Sequence, residues 1–288
     1  MSRASYFQRM NRVCDYIEQH LDDDLSLAVL CEVAHFSKFH FHRQFSQAMG
    51  INVFRFIQLM RMKRASYQLA FYPQFRVLDV ALQAGFESSE AFSRAFKKTF
   101  GQTPSQFRKQ PNWVSWHQQY PETSRKGNQT MQTKTVEIID FPKTLIAVKE
   151  HRASHEQLNE SIASFIEWRK QTSLSPVDTS DSFGILYDDP AAVAPEDFRF
   201  DICGSVKAPI PDNPQGVMNK ELPAGRCAHL VHYGSHDAMD TSVYFLYRDW
   251  LPESGESLRD FPCFVRYRNL FPEVDEHELV TDIYLPLQ

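Results

Sequence analysis

Glycine is scarce in this chain: 10 of 288 residues, with only Gly50, Gly85 and Gly101 before residue 120. That spacing leaves long stretches free to run as helix, with glycine as punctuation. Cysteine is sparse too. The five (Cys14, Cys31, Cys203, Cys227, Cys263) are odd in number and scattered, with no CxxC pair. This argues against a disulfide framework and against a zinc site. They read as small buried apolar residues. No apolar run approaches the roughly 18 residues of a membrane span, and the opening MSRASYFQRMNRV lacks the apolar stretch of a signal peptide. A cytoplasmic protein without membrane association is expected. The 42% apolar and 23% charged content is that of a globular chain, and 288 residues fit two domains better than one.

The net charge of −5 conceals a split. Residues 1–120 carry 15 Lys and Arg against 9 Asp and Glu, a net of +6, whereas residues 131–288 carry 14 against 26, a net of −12. A basic half joined to an acidic one implies that only the first meets a polyanion. The composition changes near residue 110. Before it, apolar residues recur at helical spacing, as in Leu27, Leu30, Val33, Ala34 and Val77, Val80, Ala81, Ala84. The polar stretch 111–132 reads as linker. Beyond it, short β-rich runs (VEII, TLIAV, FGILY, FDICGSV, RCAHLVHY, CFVRYR, LVTDIYL) alternate with helical stretches at 155–171 and 238–250, an α+β pattern.

Each half holds an internal repeat. A shift of 51 residues lays Ser37 on Ser88, Phe41 on Phe92, Arg43 on Arg94, Phe45 on Phe96 and Gly50 on Gly101. Each unit is a helix, a tight turn and a second helix closed by glycine, with Ser37 and Ser88 as N-caps. Between the units, 52–72 reads as one amphipathic helix ending before Pro73. In the second half the shift is 81. Phe141-Pro142 falls on Leu222-Pro223, and His151, Ser154, His155 fall on His232, Ser235, His236. Each copy reads as a hairpin, a helix ending near Trp168 or Trp250, and two further strands. The paired His and Ser read as an inherited turn and cap, so neither metal nor nucleophilic chemistry is expected, and no cofactor.

A helix that reads the major groove, about 12 Å wide, needs an apolar back and a polar, cationic front. In KFHFHRQF (38–45), Phe41 and Phe45 suit the core and leave Lys38, Phe39, His42 and Arg43 outward. In SEAFSRAF (89–96), Phe92 and Phe96 suit the core and leave Ser89, Glu90, Ser93 and Arg94 outward. Arginine suits guanine and glutamate suits cytosine. Thr103-Pro104-Ser105 opens another helix, whose free N–H groups suit a phosphate.

The run GFESSEAFSRAFKKTFGQTPSQFR (85–108) resembles the signature of AraC/XylS-family transcription regulators, and SLAVLCEVAHFSKFHFHRQFSQAMG (26–50) matches the same family. The resemblance implies two helix-turn-helix units on one linker helix. It makes Lys38, Phe39, His42, Arg43, Ser89, Glu90 and Arg94 base-contact candidates, with Ser37, Ser88, Lys97, Lys98, Thr103 and Ser105 at phosphates. His35 stands where relatives often have a turn glycine. RNA polymerase contact is a further implied partner.

FGILYDDP (183–190), FRFDICGSV (198–206), LPAGRCAHLVHYGSHD (222–237), YRDWLPESGESLRDFPCF (247–264) and LVTDIYLPL (279–287) resemble the GyrI-like effector-binding domain. The whole looks like the Rob-type arrangement. It implies an all-α double helix-turn-helix domain (1–112), a linker (113–131) and an α+β domain (132–288) with a pseudo-two-fold antiparallel sheet and two helices. It further implies an aromatic cleft for a small aromatic or amphipathic effector, expected at Trp168, Tyr187, Tyr233, Tyr244, Trp250, Val265, Tyr267 and Tyr284. Relatives often carry a glutamate where this chain has Val265, so the partner of a cationic ligand is missing unless Glu160 or Glu167 replaces it. Alternation places Cys263, Val265 and Tyr267 on one strand face. The reading is a ligand-responsive transcription regulator, not an enzyme. A small-molecule hydrolase or a protein-binding module in the second half stays open as the alternative.

Overall fold

The computed structural model describes residues 3–120, 134–190 and 192–288. The chain divides into two compact units, one helical and one built on a sheet.

The helical unit runs α1 (Arg3–Gln19), α2 (Leu27–Ala34), α3 (Lys38–Met49), α4 (Val53–Phe71), α5 (Val77–Gln83), α6 (Ser89–Phe100), α7 (Pro104–Lys109) and α8 (Trp113–His117). The 51-residue repeat is carried into structure without slippage between α3 and α6. Both end on a glycine in the left-handed region, Gly50 at φ 71° and Gly101 at φ 75°. Side-chain caps begin most helices. Ser26 accepts from Val29 N at 3.4 Å, Asn52 from Arg55 N at 2.8 Å and Ser88 from Ala91 N at 3.2 Å. Ser37 occupies the N-cap position but its side chain makes no cap hydrogen bond, contrary to expectation. The α2–α3 turn is made by His35 at φ 51°, where Gly85 at φ 80° serves the α5–α6 turn. The turn survives without glycine, because a single left-handed residue costs little next to the core it positions.

Two cores sit in this unit, and α4 contributes to both. Val53, Phe56 and Ile57 pack with Phe41, Phe45, Leu30 and Met10. Met62, Ala65 and Leu69 pack with Phe92, Phe96, Phe100 and Phe107. The stretch expected as linker from 113 instead opens with α8, capped by Asn112. Trp113 and Trp116 are buried in the second core, edge-on to one another with centroids 5.4 Å apart. Sequence period fails over so short a helix, but two tryptophans spaced by three put both rings on one side. The rest of the expected linker, from 121, lies outside the described residues.

The second unit runs β1 (Val136–Phe141), β2 (Thr144–Arg152), α9 (Leu158–Thr172), β3 (Ser182–Leu186), β4 (Arg199–Ser205), β5 (Met218–Leu222), β6 (Gly225–Tyr233), α10 (Asp240–Phe245), a π-helical turn (Leu246–Trp250), α11 (Leu251–Ser254), β7 (Cys263–Tyr267) and β8 (Val280–Pro286). The eight strands form one antiparallel sheet in the order β1-β6-β8-β7-β3-β4-β2-β5. Strand β5, sequence MNKEL, is a polar edge strand with little alternation of its own; only the repeat implied it, as the first strand of the second copy. The expected hairpins do not form. β1 pairs with β6 and β2 with β5, so the two copies exchange their first strands. Pro142 and Pro223 stand at the corners, where they deny a ladder donor. The apolar residues before them, Phe141 and Leu222, turn into one shared core although they belong to opposite edges of the sheet. The sheet is therefore curled.

Alternation gives the sheet two dissimilar faces. Phe141, Ile146, Phe183, Ile185, Phe264 and Tyr284 fill the inside of the curl. Ala147, Val265, Ile283 and Leu285 meet the helices, α9 through Phe165 and Trp168, and α10 through Val243. All five cysteines are buried, and burial pushes the Cys227 thiol up to about 11 and Cys263 up to about 12. No helix among the described residues is long and apolar enough to cross a membrane.

Trp113→Ala is expected to destabilise the helical unit by about 3–5 kcal/mol, the usual cost of emptying a buried aromatic site. Urea unfolding followed by helical circular dichroism checks this. An effect below about 1 kcal/mol would mean that α8 is dispensable.

Candidate nucleic-acid interface and effector cavity

The second helices, α3 and α6, present the same face twice. Phe41 and Phe45 of α3, and Phe92 and Phe96 of α6, are fully buried. Opposite them Arg43 and Arg94 are exposed, as are Glu90, Lys97 and Lys98, while His42 and Ser89 are half-buried. Both arginines stand two residues after the first buried Phe, so each is carried at the same angle from its core. The side chains of Lys38 and Phe39 lie outside the described residues. Hydrogen bonds from its own amide and from the Ser88 hydroxyl hold the Glu90 carboxyl below its ordinary range. Ser88 thus supports both the helix start and an exposed acid. Thr103 already uses its amide and hydroxyl in a capping box, with Thr103 N donating to Gln106 Oε1 at 2.9 Å and Gln106 N to Thr103 Oγ1 at 3.2 Å. Ser105, one position inside α7, is exposed, as is Ser37. Phe54 escaped the sequence reading. It is 53% exposed at the start of α4, with its ring 5.6 Å from that of His42. Its signal was an aromatic out of phase with the buried Val53, Phe56 and Ile57.

In the sheet unit a cavity of about 490 Å³ opens at one end of β3 and β7. It is lined by 177–182, 266–270 and Glu273. Of the residues expected to line the effector site, it includes Tyr267 alone. The others are dispersed over both faces of the sheet, its helices and the surface. Tyr187 and Tyr284 face the inside of the curl, Tyr284 fully buried against Phe264 at 5.0 Å. Tyr233 is exposed at 56%. Trp168 is sealed between α9 and the sheet, and Trp250 packs beside α10. Tyr244 on α10 donates to Asp189 and lies under Arg248 at 4.2 Å. Cys263, Val265 and Tyr267 do share a face, as alternation required, but Val265 is fully buried. Glu160 and Glu167 are exposed on α9.

Sequence reading missed the strongest electrostatic feature, which is itself repeated. The 81-residue shift lays Asp201 on Asp282, and both carboxylates are fully buried. Asp201 accepts from Arg152 at 2.9 Å, Lys220 at 2.8 Å and the Tyr187 hydroxyl at 3.0 Å. Asp282 accepts from His229 at 2.7 Å, Arg266 at 2.8 Å and Arg268 at 2.6 Å. Burial alone would raise the Asp282 pKa, but these donors hold it well below the usual carboxylate range. The signal was the dipeptide Asp-Ile, present in FRFDI and again in LVTDI.

The duplicated histidines are structural. His232 Nε2–H donates to the Ser235 carbonyl at 3.1 Å, and Nδ1 accepts from the Ser242 hydroxyl at 3.0 Å. His151 does the same with Ser154 and Ser161. Ser154 and Ser235 cap the single 3₁₀ turns that follow, as the repeat implied. Burial lowers the His232 pKa.

Two helix-turn-helix pairs followed by a curled sheet with paired helices define a transcriptional regulator that joins a DNA-binding domain to a small-molecule-binding one. The comparisons agree. Residues 134–288 match the GyrI-like small-molecule-binding domain, more than half of the chain, and residues 30–110 match a helix-turn-helix domain. The chain belongs to the GyrI-like family, carried behind an AraC-type helix-turn-helix domain. It is 53% identical over 155 residues to the probable transcriptional regulator YgiV of Escherichia coli K12, covering 54% of this chain and 97% of that protein. It is 39% identical over 100 residues to an uncharacterised helix-turn-helix regulator of Staphylococcus aureus strain COL, covering 35% of this chain and 13% of that protein. Among solved structures, EcmrR in a DNA complex aligns with a TM-score of 0.46 at 13% identity, over 91% of this chain and 98% of that one. The matched proteins of known class are regulators rather than enzymes.

Acid is expected to weaken the sheet unit in two steps. His232 is neutral when folded, so its contribution is complete above about pH 6.5 and declines below it. The depressed Asp282 contribution is complete above about pH 4 and is lost as the pH falls further. His232→Gln should flatten the upper step and leave the lower one, as read from melting temperature against pH. Asp282→Asn should cost about 1–3 kcal/mol at neutral pH, because the two arginines lose a charged hydrogen-bond acceptor but stay partly solvated.

Proposed function

We propose that α3 and α6 enter successive major grooves on one face of a DNA duplex and read two half-sites about one helical turn apart. The observation that carries this is the repeated geometry, with Arg43 and Arg94 at matching positions on helices that flank the single helix α4. Its 19 residues span about 28 Å, close to the roughly 34 Å of one DNA turn. Arg43 and Arg94 read guanine, Glu90 reads cytosine, and Lys38, Phe39, His42 and Ser89 complete the base-facing surface. Lys97, Lys98, Ser37, Ser88, Thr103 and Ser105 lie toward the phosphates. Because both reading helices belong to one chain, a monomer suffices for an asymmetric site. The basic half supplies affinity through counterion release, so binding falls steeply with salt. The sheet unit senses a small molecule, which changes DNA binding only by favouring one state of the chain over another. Such a protein works in the cytoplasm, where it meets chromosomal DNA, and activates through RNA polymerase contact.

Selection of sites from random duplex DNA should return a bipartite motif. Arg43→Ala and Arg94→Ala should each cost about 1–3 kcal/mol at that site and relax preference at one base pair, in different half-sites. Lys98→Ala should instead weaken all sequences alike and lower the salt slope by about one. Unchanged preference at every base pair in both arginine variants would reject the assignment.

A further inference from the structure

On the helix-facing side of the sheet, one row of cross-strand partners runs Ala147, Gly204, Ser182, Tyr267 and Thr281. The guanidinium of Arg169, from α9, lies on this row and is only 4% exposed. Its Nε donates to the Ser175 carbonyl, and its Nη1 donates to Ser182 Oγ at 2.7 Å. Cζ stands 5.7 Å from the centre of the Phe165 ring. Nη2 has no hydrogen-bond partner among the described residues, and no carboxylate pairs with the group. A Cβ on Gly204 would collide with Ser175 Oγ and stand 3.3 Å from Arg169 Cζ. The strand glycine therefore keeps the floor clear for the guanidinium. Burial alone lowers the Arg169 pKa, to about 10. A buried cation without a counter-charge is costly to maintain.

The cavity described above takes in the next two members of this row, Ser182 and Tyr267, together with Arg266. The Tyr267 hydroxyl makes no hydrogen bond among the described residues, and it stands 2.9 Å from where a Cβ of Gly184 would lie. The acids at the cavity, Asp178, Asp181 and Glu273, are exposed, and Asp181 is 4.0 Å from Arg266. Solvated carboxylates do little to neutralise a buried charge. The polar row is also confined to one side of the pseudo-two-fold. The mates of Ser182, Gly204 and Tyr267 are Cys263, Leu285 and Leu186, and that of Arg169 is Leu251 once a one-residue slip in the helix is counted. An inherited scaffold would have kept its polar set in both copies or in neither.

We propose that this cavity receives an organic anion, a carboxylate on an aromatic or apolar body. The Ser182 and Tyr267 hydroxyls meet the acid group, and Arg169 supplies the counter-charge one hydrogen bond behind Ser182; Arg266, already held by Asp282 at 2.8 Å, stays with that partner. The inference rests on the reading of this unit as a small-molecule sensor and names the class of its ligand. It is the reverse of the cation preference that a carboxylate at Val265 would give.

The test uses one shape with three charges. A naphthoate, the naphthamide and the naphthylmethylamine are titrated calorimetrically into the full-length protein. The naphthoate should bind about tenfold tighter than the amide, or better. In Arg169→Met the naphthoate should fall to the level of the amide while amide binding is retained, and Arg169→Lys should restore part of the difference. Should Arg169→Met fail to fold, Ser182→Ala should weaken the naphthoate selectively. An amine that binds best, or a naphthoate preference untouched by both variants, would overturn the proposal and leave the sensor reading in place. No binding of any of the three would overturn both at this cavity.

Discussion

The helical unit depends on one constraint, the shared ownership of α4. Its first two turns belong to one core and its remaining turns to the other, so neither helix-turn-helix pair can move without disturbing buried side chains at the helix's far end. The constraint is packing, not hydrogen bonding. Interiors are close-packed and tolerate few intermediate arrangements. A rigid rod with a hydrophobic cluster at each end fixes both the separation and the relative rotation of α3 and α6. Those are the two quantities that a bipartite DNA site would measure.

The sheet unit solves a different problem with the same economy of duplication. Each copy carries its own buried aspartate, its own histidine clamp between strand end and helix, and its own Pro corner. The exchange of first strands then closes the two copies into one curled sheet with a single core. The scaffold residues obey the pseudo-two-fold closely. Those that depart from it, Arg169 with Ser182 and Gly204 on one side and leucine and cysteine on the other, mark where the two halves have been put to different uses.

Much of this was legible in the sequence where the signal is local. Helix starts and stops are written in Ser26, Asn52, Ser88, Thr103, Gly50 and Gly101, each acting within three or four residues of itself. The alternate faces of β7 were legible for the same reason. The dispersal of the aromatic side chains was not, because aromatic content says nothing of parity between strands. Tyr284 and Tyr267 look equivalent in composition, yet pairing in the sheet sends one into the curl and the other toward the helices. β5 was legible only through the repeat, because an edge strand needs no apolar alternation of its own. The pairing of β1 with β6 in place of β2 was beyond reach, since it is decided by residues more than eighty positions apart. Asp201 and Asp282 were within reach, had the repeat been followed past its histidines.

The exchanged strands bear on how the chain acquires its structure during synthesis. In the helical unit most contacts join neighbours in sequence, and such units form quickly. β1 has no partner until β6 has been made, and the place between β6 and β7 stays vacant until β8 arrives. A growing chain therefore carries a finished helical unit while its sheet waits, with two open edges, for its last dozen residues. Truncation within β8 would leave β6 and β7 unpaired in the middle of the sheet. That is a lesion of the kind that exposes strand edges to other chains, where loss of an outer strand would leave the ladder whole.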